Sequence, residues 1–150
     1  MKHGGAAGAL ELSTDQARLD IGLVHDYLAR ESYWARGIPR ATVERALAHS
    51  VCISAWSGGS MAGFARVVTD QATFGYLADV FVVESQRGRG VARAMLAALF
   101  DDPRLQGLRR MMLATRDAHG LYAGFGFRPL GDPARLMERY DADVYSRQAP

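Results

Sequence analysis

Gln86-Arg87-Gly88-Arg89-Gly90-Val91-Ala92 joins two segments of opposite periodicity with no residues to spare. Upstream, Phe74–Val83 is rich in aromatic and β-branched residues, is interrupted inside by Asp79, and ends at Glu84-Ser85-Gln86, which predicts a central strand. Downstream, Gly90–Phe100 carries Val91, Met95 and Leu99 at helical spacing until Asp101-Asp102-Pro103 stops it. A glycine turn leading straight into a helix points successive backbone N–H groups outward. The helix dipole adds about half a positive charge there, and Arg87 and Arg89 add whole ones, so the loop suits a pyrophosphate. A plain strand-to-helix turn is the alternative. Two common nucleotide motifs do not fit: a P-loop needs a lysine after its last glycine, and a dinucleotide fingerprint needs a third glycine where Arg93 stands.

Working outward, Val51–Trp56, Gly58-Gly59 and Met61–Thr69 read as a hairpin. Before it, Asp20 caps a helix to Arg30 that aligns Ile21, Val24, Tyr27 and Leu28, an aromatic loop carries Tyr33 and Trp34, and Pro39 opens a second helix through Val43, Ala46 and Leu47. After it, Met111–Thr115 reads as a strand and Asp117 as the N-cap of a short helix through Tyr122. Gly124–Phe127 then re-extends the chain, and Leu136–Tyr140 closes it as a last strand. The predicted order is βααβββαβαββ, one mixed α/β (α+β) domain over 10–150 after a mobile Gly/Ala-rich terminus at 1–9.

Composition removes several function classes. At 150 residues, 49% hydrophobic and 23% charged, the chain suits one core that needs neither metal nor disulfide to hold it. Cys52 is the single cysteine and reads as a core residue, which excludes a multi-cysteine zinc site and favours a reducing, cytoplasmic setting. No apolar run approaches the length of a membrane span, and the opening residues lack the apolar region of a secretory signal. A net charge of +2 with no basic helix face argues against nucleic acid as partner.

Arg87-x-x-Gly90-x-Ala92 resembles the Arg/Gln-x-x-Gly-x-Gly/Ala signature of the GNAT superfamily of acetyl-coenzyme A dependent N-acetyltransferases. Ala118-His119-Gly120-Leu121-Tyr122-Ala123-Gly124-Phe125-Gly126-Phe127 resembles its second signature, and the element order matches from about Leu10 to Tyr140. The resemblance implies a mostly antiparallel twisted sheet of about six to seven strands flanked by about four helices. It implies acetyl-coenzyme A as co-substrate, a primary amine of a small molecule or peptide as acceptor, direct transfer in a ternary complex, no metal, and a homodimer by family habit. By the same resemblance, backbone groups of Phe81, Val82 and Val83 pair with the pantetheine arm, and Arg87, Gly88, Arg89, Gly90, Val91 and Ala92 hold the pyrophosphate. Tyr122 is then the general acid that protonates the departing thiolate. Otherwise it is a tyrosine packed against the sheet. Thr115 stands where many members carry an asparagine, leaving Asp117 as either a cofactor contact or an ordinary N-cap. A non-catalytic acyl-coenzyme A sensing module is the alternative function.

An attacking amine must lose a proton, and a carboxylate within reach is the natural helper. Asp79 is the candidate because an acid is unfavourable in an apolar strand unless paired; the alternative is a structural pair with an arginine such as Arg66. His119 is a second possible base. The family's usual acceptor pocket maps onto Tyr27, Tyr33, Trp34, Arg66 and Tyr76, an aromatic set in which Arg66 would clamp a substrate carboxylate.

Overall fold

A computed structural model describes residues 9–148, so the mobility expected of residues 1–8 lies outside the described residues. Its elements are β1 (Leu10–Ser13), α1 (Ile21–Asp26), α2 (Arg40–Ala48), β2 (Ser50–Ser57), β3 (Ser60–Thr69), β4 (Phe74–Val82), α3 (Val91–Phe100), β5 (Arg110–Leu113) and α4 (His119–Ala123). The strands form one sheet in sequence order, antiparallel except for the parallel pair β4–β5. No helix among the described residues is long and apolar enough to cross a membrane.

Local sequence accounts for most of these boundaries. The Asp20 carboxylate accepts the Leu23 N–H and starts α1, whose last turn widens into a π-turn at Tyr27–Glu31. Pro39 directly precedes α2. Gly58 and Gly59, at φ 61° and 85°, turn β2 into β3.

The sheet has a core on each face. On one side Ile53, Ala65, Val67 and Leu77 pack under Met95, Leu96 and Leu99 of α3. On the other, Phe64, Phe81 and Cys52 pack under Val24 and Leu28 of the first helix and Val43 and Leu47 of α2. Cys52 is a core residue as expected: burial pushes its thiol up to about 12, far from a reactive thiolate.

A bulge in β4 positions the site. Arg66 pairs with Asp79 but Val67 pairs with Leu77, so Ala78 is the extra residue and the in/out alternation resets across it. Leu77 faces the α3 core, whereas Phe81 faces the α1–α2 side, where Asp79 meets Trp34.

Among the described residues five strands form where six to seven were expected. Gly124–Phe127 does not re-extend into a strand, because the Phe125 and Phe127 N–H groups fold back onto the Tyr122 carbonyl. Leu136–Tyr140 follows a short turn at Pro133–Arg135 but has no strand partner among the described residues.

Candidate active site

β4 outruns β5. Their pairing spans Phe74↔Arg110 to Leu77↔Leu113, after which β4 continues to Val82, still paired with β3 on one side but with no strand among the described residues on its β5 side. The two strands therefore part and open a gap whose wall is backbone that no strand pairs among the described residues. The Val83 N–H bonds to the Ala62 carbonyl of β3 (2.9 Å). Because N–H and C=O of one strand residue point to the same side and alternate along the chain, Phe81 and Val83 turn theirs toward β3. Val82 and Val80 turn theirs to the gap. Of the three residues expected to pair with a pantetheine arm, Val82 turns its backbone groups to the gap, as Val80 does, while Phe81 and Val83 turn theirs toward β3.

The glycine loop follows at the mouth of the gap. Gly88 and Gly90 have φ of 77° and 78°, a region that a side chain with a Cβ enters only with strain. Gly90 is the N-cap of α3, and no side chain caps it, so the first N–H groups of the helix, from Val91, Ala92 and Arg93, face outward unpaired. The Arg87 guanidinium turns away from this cradle: its Nε donates to the Val82 carbonyl (2.9 Å) and its Nη2 to the Tyr27 hydroxyl (2.9 Å). Arg89 and Arg93 are the exposed cations at the helix start. Tyr27, expected among the acceptor residues, instead stacks on Phe81 at 4.0 Å and supports the loop through Arg87.

On the α1–α2 side lies a cavity of about 560 Å³ that brings together Tyr33, Trp34, Arg66, Tyr76, Asp79 and Tyr122. Asp79 is 4% exposed, and both its oxygens accept short bonds: Oδ2 from Arg66 Nε (2.7 Å) and Oδ1 from Trp34 Nε1 (2.7 Å). Arg66 also donates through Nη1 to the Ser50 hydroxyl (3.1 Å). The structural pairing foreseen for Asp79 is thus realised, and Arg66 is engaged rather than free for a substrate carboxylate. Tyr33 ties the aromatic loop to the segment between β5 and α4. Its hydroxyl accepts the Arg116 N–H (3.1 Å), the Arg116 guanidinium lies 3.9 Å over its ring, and its ring meets Trp34 edge-on. Tyr145, far along the sequence, also lines this cavity.

Tyr122 stands where the cavity meets the gap. Its ring is 9% exposed, and no described residue bonds its hydroxyl. Burial pushes the phenol above its ordinary value of 10, and Tyr33 and Asp117 push the same way. The group is held in its proton-bearing form. Asp117 lines the cavity but does not cap α4: the Ala118 N–H bonds to the Thr115 hydroxyl (3.0 Å), and that bond closes the turn before the helix. His119 is exposed on α4 and lines a different groove.

This arrangement agrees with what the chain is similar to. The sequence profile of the Acetyltransferase (GNAT) family matches residues 24–127. The crystal structure of a Xanthomonas campestris pv. campestris protein assigned to that family is 51% identical, with a TM-score of 0.89 over 91% of this chain and 96% of the other. A Gibberella zeae protein named as an acetyltransferase is 32% identical over 74% of each chain. Serotonin N-acetyltransferase 2 of Oryza sativa subsp. japonica is 30% identical over 90% of this chain and 70% of its own. With both signatures in place around a parted β4–β5 pair, the chain belongs to the GNAT family of acetyltransferases.

Proposed function

We propose that the protein transfers acetyl from acetyl-coenzyme A directly to the primary amine of a compact acceptor whose body is uncharged and aromatic or aliphatic. The observation that carries this reading is the cavity lined by Tyr122, whose hydroxyl no described residue bonds, together with an aromatic wall and a self-neutralised Arg66–Asp79 pair. The coenzyme's pantetheine runs along Val80 and Val82 in the β4–β5 gap, and its pyrophosphate rests on the loop from Gly88 to Ala92 with Arg89 and Arg93 beside it. The amine nitrogen bonds to the thioester carbon, the carbon–sulfur bond breaks, and the sulfur takes the Tyr122 proton. The proton lost by the amine passes to cavity water, which restores Tyr122.

Asp79 serves as a positioning residue in this account. Each carboxylate oxygen has a second lone pair, so Asp79 can still accept an N–H from the docked amine while it holds Trp34 and Arg66. Taking the proton outright would disturb one of those two bonds. Asp79 neutralises Arg66, and the other cation lining the cavity, Arg116, lies over the Tyr33 ring. Tyr33, Trp34 and Tyr76 favour an aromatic or aliphatic body. The acceptor in the rice relative's name, an aromatic amine, is of that kind.

A thiol-release assay with acetyl-coenzyme A and a panel of amines tests the reading. Aromatic monoamines are expected to show the highest kcat/KM; a preference for amino acids or polyamines would contradict it. For the cradle, Gly90→Val forces a β-branched residue to φ 78°, which carries a strain of about 1 to 3 kcal/mol. The expected result is a KM for acetyl-coenzyme A at least about tenfold higher, read from initial rates, with a Tm a few degrees lower.

A further inference from the structure

After Phe127 the chain runs through residues 128–143, every one of them exposed, and then returns to the body of the protein. From Arg128 to Gln148 only Val144 and Tyr145 are half-buried. Both lie on a single helical turn, Val144–Arg147, closed by an Asp141–Arg147 ion pair and by a bond from the Ser146 hydroxyl to the Asp143 carbonyl (2.8 Å). Gln148 pins this turn to α2, where its side chain accepts the Thr42 hydroxyl (3.0 Å). The side chain so placed is Tyr145, which packs on the α1–α2 core and lines the acceptor cavity. That cavity has two ends. Val80, Leu113 and Tyr122 line it at the β4–β5 gap, where the thioester arrives. Ile38, Val43 and Leu47 line it at α2, and Tyr145, packed on the same core cluster, belongs with them.

We propose that Tyr145 is a specificity-determining residue whose ring limits how long an acceptor the cavity takes. The inference rests on the transfer reaction given above. There the amine nitrogen docks on Asp79 within reach of the thioester, so the body of the acceptor extends toward α2. What it meets at that end is apolar: the aliphatic side chains of Ile38, Val43 and Leu47 and the Tyr145 ring. The three aliphatic residues are buried at 7% exposure or less and belong to the core that holds α1 and α2 on the sheet. Tyr145 is added to them from outside by the C-terminal turn, and its ring sets the depth left over. An acceptor that just reaches the ring gains its contact, whereas one that is a methylene too long must displace it. A single methylene at the end of an apolar pocket is worth about 10- to 200-fold in kcat/KM. The acceptor class is thereby narrowed to arylalkyl or alkyl monoamines of limited length.

The test is kcat/KM by thiol release across benzylamine, phenethylamine, phenylpropylamine and phenylbutylamine. The wild-type values are expected to pass through a maximum and then fall at least about tenfold at the next member. Tyr145→Ala should lower kcat/KM about tenfold for the wild-type optimum, move the optimum to a longer amine, and leave the KM for acetyl-coenzyme A unchanged. Tyr145→Leu, which keeps an apolar contact with the α1–α2 core, should shift the optimum the same way by less and serves if the Ala variant fails to fold. Tyr145→Phe keeps the ring and should keep the wild-type profile. An optimum that stays put in both the Ala and Leu variants, an equal loss for every amine, or a raised KM for acetyl-coenzyme A would make Tyr145 an anchor of the C-terminal turn and overturn the proposal. A wild type that prefers polyamines or amino acids to the whole series would instead overturn the acceptor class on which the proposal rests.

Discussion

Tyr122→Phe is expected to lower kcat about 100-fold while the affinity for acetyl-coenzyme A stays at the wild-type value. The change deletes one oxygen from a side chain whose ring packs against Phe127 and keeps that packing. Because no described residue bonds the hydroxyl, its removal leaves no partner unsatisfied, and the fold should be indifferent. What is lost is the proton for the departing sulfur, and a positioned acid contributes about 10² to 10⁴ in rate. The pH profile gives a second readout. With its pKa raised above 10, the phenol holds its proton through neutral and mildly alkaline solution, so the wild-type kcat should not fall below pH 10 on account of Tyr122. The same shift fixes the sign of its effect on stability: the folded state holds this proton more tightly than the unfolded chain, so stability is lost only as pH rises past 10. Full turnover by the Phe variant from pH 7 to 10 would remove Tyr122 from the mechanism.

Asp79→Asn is the substitution with the largest expected effect on stability. Side-chain exposures of 5% for Asp79 and 16% for Arg66 make theirs a buried pair, and removing one partner leaves the other charge uncompensated. That carries a penalty of about 3 kcal/mol or more, which for a chain of this length lowers Tm by roughly 6 to 12 °C. Replacing both members, Arg66→Met with Asp79→Leu, should recover most of the Tm and still leave the acceptor KM high, because the docking carboxylate is gone. The ratio of Asp79→Asn to wild-type kcat/KM should be flat from pH 7 to 9. Recovery of the variant toward alkaline pH would make Asp79 a proton acceptor instead.

The glycine loop, α3 and the hairpin were legible because each is local: spacing of apolar residues, two glycines and a proline specify them within a dozen positions. Asp79 also stood out, as an acid in an apolar strand, with Arg66 as one possible partner. Its bond to Trp34 was not legible, because the bulge at Ala78 depends on register against β3, and Phe74–Val83 is apolar enough on both faces to hide a reset of alternation. The alternation set by the Val83–Ala62 bond, which turns Val82 and Val80 toward the gap, rests on the same register, so sequence alone does not divide the expected Phe81, Val82 and Val83 between its two sides. Arg87 and Tyr27 were read into separate sites, yet they bond each other across 60 positions, a long-range contact that no local pattern encodes. Tyr145 reaches the cavity for the same reason. Leu136–Tyr140 has the composition of a strand but no strand neighbour among the described residues, and composition alone does not report that.

Binding of acetyl-coenzyme A is the premise on which the account rests, and a thermal shift titration tests it without knowledge of the acceptor. At 100 times its dissociation constant the ligand should add about 2.7 kcal/mol, a Tm rise of several degrees at this chain length. Adenosine diphosphate alone should give only a fraction of that rise, since it cannot enter the β4–β5 gap beside Val80 and Val82. No shift at millimolar acetyl-coenzyme A, or one matched by adenosine diphosphate, would contradict the assignment of the parted strands and the glycine loop as one cofactor site.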